Sequence, residues 1–488
     1  MKKTIALLIG IALLASCTDK INQQPISQIS VDTYYKSAAD IDGAVTGAYQ
    51  SLALIGQYGL YYAYLSEVRS DNSQEYDLGL ASSIFSDIDL FRDSPSSDVF
   101  ASAWRDNFIG IQRCNVILNR IGAIAMDATT KTVRAGEVKF LRALMYFNLV
   151  RTFGDVPLVL TETVDPKDVL SNGRTPKADV YKQIVSDLTD AANSLPAKQS
   201  QVGRATQGAA SALLGKVYLT LGQYANAIVA LRAVTGYSLL NGYGSVFGVA
   251  NKNSAESIFE VQFKKGTGSA FVAPNGLGNG LGTGSAFTNF FMPPSASSLI
   301  GTVAGQTMGS NQPTEDFINS YESGDLRKDL TIGYLGTFAY CKKFLDSPSQ
   351  PLDADVNWIV LRYADVILML AEALNEQEFA ASGKPFDLIN SIRNRAGLSS
   401  LNSTSTPNQA SFRLAIENER RHELAFEGHR WFDLLRTNRA LIVMRAHTTK
   451  VAGSATLLSY IQDFRLLYPV PLAEINANPG VIKPNTGY

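Results

Sequence analysis

Residues 214–234, with the sequence LGKVYLTLGQYANAIVALRAV, have the spacing of two short helices joined by a turn. Gly215 and Ala227 are small enough to let two helices approach closely, and Gly222 breaks the first helix at the turn. The larger side chains that fill the space between the helices are Tyr218, Leu231 and Val234. This is the register of a tetratricopeptide-type helix–turn–helix unit, although Leu239 stands where the closing proline of that repeat would fall.

Helical patterns continue on both sides of this unit. Apolar residues recur at three- and four-residue spacing from residue 39, and residues 361–376 are apolar nearly all round, as expected of a central helix. We therefore predict a mostly α fold with a tetratricopeptide-like helical repeat scaffold at about 39–235 and 358–446. The tail at 460–488 is rich in Pro and Asn and is predicted to be extended.

Between the two helical blocks, residues at about 236–357 depart from the helical pattern. The run ESIFEVQF at 256–263 alternates like a strand and precedes a Gly-, Ser- and Pro-rich stretch at 266–298. Residues 70–98, in the first block, are rich in Ser, Asp and Gly and are predicted to form a long loop. We expect a large, irregular, loop-rich insertion with few short strands, and a second irregular segment at 70–98.

The N-terminus has the pattern of a bacterial export signal. Two lysines precede an apolar run from Ile5 to Leu14, which is too short to span about 30 Å of hydrocarbon. The sequence LASC at 14–17 resembles a lipobox, which implies cleavage before Cys17 and attachment of lipid chains that anchor stably in a membrane. We predict a lipoprotein signal peptide at 1–16 and a lipid anchor at Cys17; the alternative is an ordinary secretory signal with a chance cysteine.

Composition and motifs argue against nucleic-acid binding and against an enzyme. The 43 basic and 44 acidic residues leave no basic excess for a surface that tracks phosphates. The sequence contains no G-x-S-x-G, Walker or HExxH motif, and the Gly-rich run at 276–282 does not fit a dinucleotide-binding pattern. His422 and His429 lie seven residues apart on a predicted helix, about 10 Å from each other, which is too far for one zinc ion. We predict no catalytic residues, no metal site and no cofactor.

Two cysteines remain once Cys17 is lipidated. Cys114 lies in an apolar helical pattern, and Cys341 lies in a strand-like run. We interpret both as buried free thiols. A single disulfide between them stays open as an alternative in an oxidising envelope.

Many motifs follow one another in order along the chain. They include EVKFLRALMY at 137–146, FGDVP at 153–157, IRNRAG at 392–397, FEGHRWFDL at 426–434 and YPVP at 468–471. In these residues the chain resembles the SusD/RagB family of nutrient-binding outer-membrane lipoproteins of Bacteroidetes, over nearly the whole mature length. The ending IKPNTGY departs from the family's usual QNPGY.

The resemblance implies a single SusD-like domain at 17–488, built as a right-handed bundle of tetratricopeptide-type helix pairs with the insertion on the ligand side. It implies a surface-exposed lipoprotein of the outer membrane that binds an oligosaccharide or polysaccharide. The ligand would be delivered to a partner SusC-like TonB-dependent outer-membrane transporter. Two alternatives stay open: capture of a peptide for a peptide importer, and a helical-repeat envelope adaptor that binds no ligand.

The resemblance also implies that the ligand-binding aromatics come from variable loops, so that no motif carries them over. Sugar rings bind through their C–H faces to aromatic side chains and through their hydroxyls to polar groups. The three tryptophans fall in scaffold patterns, which leaves the irregular segments at 70–98 and 266–298. The candidate ligand-binding residues are Asp71, Asn72, Tyr76, Phe91, Phe287, Phe290 and Phe291. The alternative is that these side chains anchor their own loops to the scaffold.

Overall fold

The computed structural model describes residues 34–75, 84–165, 167–271, 280–448 and 458–488. Helix dominates these ranges, and strands are few and short, as predicted. The longer helices are α1 (Ala38–Gln50), α2 (Asp98–Arg120), α3 (Ala128–Phe153), α4 (Lys177–Ser194), α5 (Gln207–Thr220), α6 (Tyr224–Arg232), α7 (Tyr363–Gln377), α8 (Lys384–Arg395), α9 (Gln409–Glu423), α10 (Arg430–Arg436) and α11 (Ala440–Thr448).

The predicted helix–turn–helix is confirmed as α5 and α6. Helix α5 begins after Thr206, whose side chain accepts a hydrogen bond from the backbone of Ala209. The turn before α6 contains Gly222 with a φ of 69°, a conformation that favours glycine. A Cβ atom at Gly215 would lie 2.5 Å from two side-chain carbons of Leu231, so the absence of a side chain at Gly215 allows the two helices to pack this closely.

Each helix of the scaffold packs on its neighbour along the chain. Helix α2 packs on α3, α3 on α4, α4 on α5 and α5 on α6. Helix α6 contacts α7, which follows the insertion in the sequence, and α7 packs on α8 and α9. This succession is consistent with a tetratricopeptide-like scaffold, in which stacked helix pairs share one continuous core.

The strands form three antiparallel pairs within the described ranges. They are β1 (Ser73–Gln74), β2 (Ser257–Val261), β3 (Gln312–Pro313), β4 (Ile332–Leu335), β5 (Phe338–Cys341) and β6 (Trp358–Arg362). Strand β2, which confirms the alternating run at 256–263, pairs with β6, and β6 leads directly into α7. Strands β4 and β5 form a hairpin. Strand β1 pairs with β3 and so joins the two irregular segments of the chain.

Two segments contain more regular structure than the sequence predicts. The segment at 70–98 includes β1 and a short helix, Ile84–Asp89, rather than a loop alone. The tail includes a 3-10 turn at Asp463–Leu466 and a helix at Leu472–Ala477, so the prediction of an extended tail is wrong there. Strong helix formers follow Pro471, and their propensity outweighs the Pro- and Asn-rich composition of the tail.

Buried ion pairs connect the scaffold to the insertion. Arg362, at the end of β6, is 1% exposed and donates hydrogen bonds to Glu256, Glu423 and Glu427. These charges compensate one another in the core, where a single unpaired charge would be strongly destabilising. The acidic residues of this region therefore hold the fold together.

His422 and His429 belong to such buried networks. His422 shares a hydrogen bond with Ser320 at 2.9 Å, and His429 shares one with Lys216 at 2.8 Å. Burial lowers the pKa of His429 to about 3, so its ring is neutral near neutral pH. In the part of the chain that the structure describes, no group of His, Cys, Asp or Glu residues is arranged to hold a metal ion.

Cys114 and Cys341 are both buried and free, which confirms their interpretation as free thiols. Burial raises the pKa of each thiol to about 12. Across the described ranges, no helix is both long enough and apolar enough to cross a membrane. The predicted signal peptide and Cys17 lie outside the described residues.

Candidate functional site

The irregular segment at 70–98 lies beside the insertion at 236–357. In the β1–β3 pair, Ser73 is opposite Pro313 and Gln74 is opposite Gln312. The Ser73 hydroxyl donates a hydrogen bond to Oδ1 of Asn311 at 2.6 Å. Residues more than 230 positions apart in the sequence therefore form one continuous structure.

Asp71 and Asn72 lie beneath this structure rather than on its surface. The Arg430 guanidinium donates two hydrogen bonds to the Asp71 carboxylate, at 2.7 and 3.0 Å. Although burial opposes the shift, Arg430 and Arg421 hold the pKa of Asp71 well below its ordinary value. Arg421 also donates a hydrogen bond to Oδ1 of Asn72 at 2.8 Å. Both predicted residues are buried, so their placement as ligand contacts is corrected to a structural role.

Phe91 is also buried, at 1% exposure. The guanidinium carbon of Arg69 lies 3.6 Å from the centroid of its ring, and Trp431 meets the ring edge-on with the centroids 5.7 Å apart. Protein groups therefore surround the ring of Phe91. The prediction that it stacks on a sugar is corrected, because no free face of the ring is available for a ligand.

Phe287, Phe290 and Phe291 lie on one short helix, Phe287–Phe291, and each is at most 3% exposed. Phe287 packs against Trp358 with the ring centroids 5.3 Å apart. These three side chains anchor the insertion to the core, which is the alternative that the sequence left open. Their prediction as ligand contacts is corrected for the same reason as that of Phe91. Tyr76, the remaining candidate, lies outside the described residues.

The structure reveals an aromatic side chain that the sequence analysis missed. Phe85, in the short helix Ile84–Asp89, is half-buried and stacks on Tyr64 with the centroids 4.3 Å apart. It meets Phe290 edge-on at 6.1 Å. The sequence SIFSDID is compatible with a helix, and in a helix Phe85 and Asp89, four residues apart, share one face. This pattern could have indicated Phe85 as an aromatic residue beside a polar group.

Polar side chains form hydrogen bonds with one another where the two segments meet. The Gln74 side-chain amide donates a hydrogen bond to Oε1 of Gln312 at 3.3 Å. The Ser310 hydroxyl donates to Oε1 of Glu75 at 2.7 Å, and the Glu75 backbone N–H donates to Oδ2 of Asp89 at 3.0 Å. We call this set the seam; its members are Gln74, Glu75, Phe85, Asp89, Ser310 and Gln312. The seam combines a half-buried ring with amide, carboxyl and hydroxyl groups.

Two larger grooves lie away from the seam. One, of about 660 Å³, is mostly apolar and is lined by Trp104 and Phe108 of α2 and by Pro157. The other, of about 600 Å³, is more polar and is lined by Arg113 and Arg204. Neither groove contains a residue that the sequence analysis selected.

Comparison with known proteins places the chain in a family. Residues 331–488 match the model of the SusD family, and residues 22–219 match a model described as "Starch-binding associating with outer membrane". A SusD-like protein of Formosa agariphila, P25, is 29% identical, and the alignment covers 97% of each chain.

Solved structures agree with the sequence matches. A laminarin-binding SusD-like protein is 28% identical, has a TM-score of 0.78, and is covered completely by 93% of this chain. A surface glycan-binding protein of Bacteroides thetaiotaomicron in complex with laminarihexaose shares the fold, with a TM-score of 0.76 at 19% identity and coverage of 92% of this chain and 100% of that one. These relatives are described by their names as binding proteins. The chain belongs to the SusD-like family.

Proposed function

We propose that this protein binds an oligosaccharide or polysaccharide at the outer membrane and that the seam contributes to the binding site. The observation that carries the proposal is the match along nearly the whole chain to a laminarin-binding SusD-like protein. The match covers 100% of that protein, so the region that binds its ligand has a counterpart in this chain.

The chemistry of the seam supports a sugar ligand. A carbohydrate offers apolar C–H faces and many hydroxyls, which suit an aromatic ring beside amide and carboxyl groups. Phe85 supplies the ring, and Gln74 and Gln312 supply side-chain amides in the paired strands β1 and β3. The other side chains predicted from the described part of the segments are buried, which leaves Phe85 as the aromatic residue best placed here.

Calorimetric titration with laminarin and starch, followed by other plant, microbial and host polysaccharides, tests the proposal. Phe85→Ala should weaken binding by about 1–3 kcal/mol, by analogy with bases stacked on aromatic side chains. Phe379→Ala is the control, because Phe379 is also a partly buried phenylalanine but follows α7. If both variants weaken glycan binding equally, the seam is excluded as part of the binding site. Binding of peptides alone, or of nothing in the panel, would contradict the proposal and favour one of the two alternatives predicted from the sequence.

Membrane anchoring and delivery complete the proposed function. The match to a family model described as associating with the outer membrane supports a lipid anchor at Cys17 and surface exposure. Cys17→Ala should release the protein from the outer membrane and abolish labelling with palmitate.

We further propose a SusC-like TonB-dependent transporter as the partner that receives the glycan. Co-purification with such a barrel in mild detergent is the expected result, and repeated isolation of the protein alone at native expression would contradict it.

A further inference from the structure

The apolar groove of about 660 Å³ has apolar side chains exposed at its rim. Ile109 of α2 and Val164 line the groove and are 37% and 81% exposed. Val481, next to the lining residue Ile482, is 37% exposed. Clustered exposed apolar groups mark a surface that another segment or molecule covers, since their burial removes them from water. We call this surface the α2 groove; its apolar members include Trp104, Phe108, Ile109, Pro157, Val164 and Ile482.

The described part of the chain begins beside the α2 groove. The guanidinium carbon of Arg120 lies over the Tyr35 ring, 5.3 Å from its centroid. Arg120 also forms an ion pair with Glu162 at 2.7 Å, and Glu162 is two residues before Val164. Because two residues span at most about 7 Å, this ion pair lies close to the exposed rim. The residues that precede Tyr34 are therefore within reach of the groove.

The segment that precedes Tyr34 has apolar side chains to place in such a groove. Residues 18–33 lie outside the described ranges; they contain no glycine, unlike a Gly-rich spacer, and can span up to about 55 Å. The match to the family model described as "Starch-binding associating with outer membrane" begins at residue 22, so most of the segment has a counterpart in the family. The apolar residues of the segment are Ile21, Pro25, Ile26, Ile29 and Val31.

Arg113 offers a charged contact between the groove and the start of the described chain. It lines the α2 groove, is exposed, and donates hydrogen bonds to the Gly47 carbonyl and the Ser51 hydroxyl, at 2.8 and 3.0 Å. It interacts electrostatically with Tyr35, and among the described residues it forms no ion pair. Asp32, three residues before Tyr35, supplies the opposite charge at this point of the sequence.

We propose that residues 18–33 dock in the α2 groove, with their apolar side chains against its apolar lining and Asp32 beside Arg113. Docking covers the exposed rim and shortens the free chain between the folded body and Cys17. A lipid anchor at Cys17 then holds the α2 face of the protein towards the membrane, and this consequence rests on the proposed function. The docking itself does not depend on the lipid or on a glycan.

Disulfide trapping tests the docking in the full Cys17→Ala chain, in which the native thiols of Cys114 and Cys341 are buried. Ile26→Cys in the segment is combined with Val164→Cys at the rim of the groove. Under mild oxidation this pair should form a disulfide within one chain at least about tenfold faster than a control pair outside the groove. The reason is that docking raises the local concentration of one thiol at the other.

The control pair combines Ile26→Cys with Ala123→Cys. Ala123 is exposed, lies three residues after Arg120, and is not part of the α2 groove. It therefore measures how often the segment reaches a nearby point without docking. Equal rates for the two pairs would overturn the proposal. A disulfide between two chains would also overturn it and would assign the groove to a second copy of the protein.

Thiol labelling gives a second measurement that needs no disulfide. The single Ile26→Cys thiol should react slowly with a thiol reagent. Adding Val164→Asp should speed this reaction about tenfold to a hundredfold, because a charge replaces a valine that docking buries. Val229→Asp is the matched control and should leave the rate unchanged, since Val229 is 72% exposed on α6. The same acceleration in both variants, or full reactivity without either, would overturn the proposal.

The transporter is the other occupant that the labelling distinguishes. In the isolated protein, Val164→Cys should already react more slowly than Ala123→Cys. Equal reactivity, with protection of Val164→Cys only in a complex with a barrel, would overturn the proposal and assign the groove to that partner. Lipid attachment at Cys17 and glycan binding are measured separately, so failure of either counts against the proposed function and leaves these rates unaffected.

Discussion

Asp71→Asn is expected to destabilise the fold strongly, because the structure places this residue in a buried ion cluster. The Asp71 carboxylate is bound by Arg430 at 2.7 Å and paired with Arg421 at 2.9 Å, and the residue is 2% exposed. Removal of one partner from a buried pair costs about 3–5 kcal/mol. Arg421 keeps Asp316 at 3.3 Å and Arg430 keeps Glu417 at 3.5 Å, so we expect the lower end, about 3 kcal/mol.

Urea unfolding followed by circular dichroism measures this loss directly. Asp179→Asn is the matched control, since the pair that Asp179 forms with Lys182 has side chains that are 50% and 78% exposed. Such a surface pair contributes about 0–1 kcal/mol. An Asp71→Asn protein that is within about 1 kcal/mol of wild-type stability, but binds its glycan more weakly, would refute the buried-cluster argument and restore Asp71 as a ligand contact.

Two further predictions concern packing in the scaffold. Gly215→Ala should cost about 1–3 kcal/mol more in stability than Gly47→Ala, because a Cβ at Gly215 meets Leu231 at 2.5 Å, whereas a Cβ at Gly47 meets nothing within 4 Å. Both glycines lie inside helices, so the gain in helix propensity is similar, and equal effects in urea unfolding would contradict the close approach of α5 and α6. Cys114 and Cys341 should not react with a thiol reagent until the protein unfolds, since both are buried and burial raises both pKa values to about 12. Rapid labelling of either native thiol would show that its site opens.

The helical scaffold could be predicted from the sequence because its signals are local. Gly215, Gly222 and Leu231 lie within 17 positions of one another, and helical periodicity fixes which of them meet. The pairing of β1 with β3 has no such signal. It joins two-residue strands separated by more than 230 positions, and strands this short carry almost no alternating pattern.

Most of the side chains that the sequence analysis selected as ligand contacts are buried in the structure. Composition indicates that a Gly- and Ser-rich stretch is irregular, but it does not indicate where its aromatic side chains point. A segment with few apolar residues has only those residues with which to anchor itself, and Phe287 and Phe290 are used in this way. Phe85 differs because the helix that carries it lies at the edge where the two segments meet, which only the β1–β3 pairing reveals.

One of the most specific sequence motifs contacts the residues that precede the seam. Arg430, inside the stretch FEGHRWFDL at 426–434, binds Asp71, and Asp71 and Asn72 immediately precede β1. Thr314, just after β3, donates its hydroxyl to the Asp71 backbone carbonyl at 2.8 Å and its N–H to that of Asn72 at 3.0 Å. Through these contacts the motif holds the start of β1 against the end of β3. In such an arrangement, side chains of the seam can change to suit another glycan while the buried cluster keeps β1 and β3 in register.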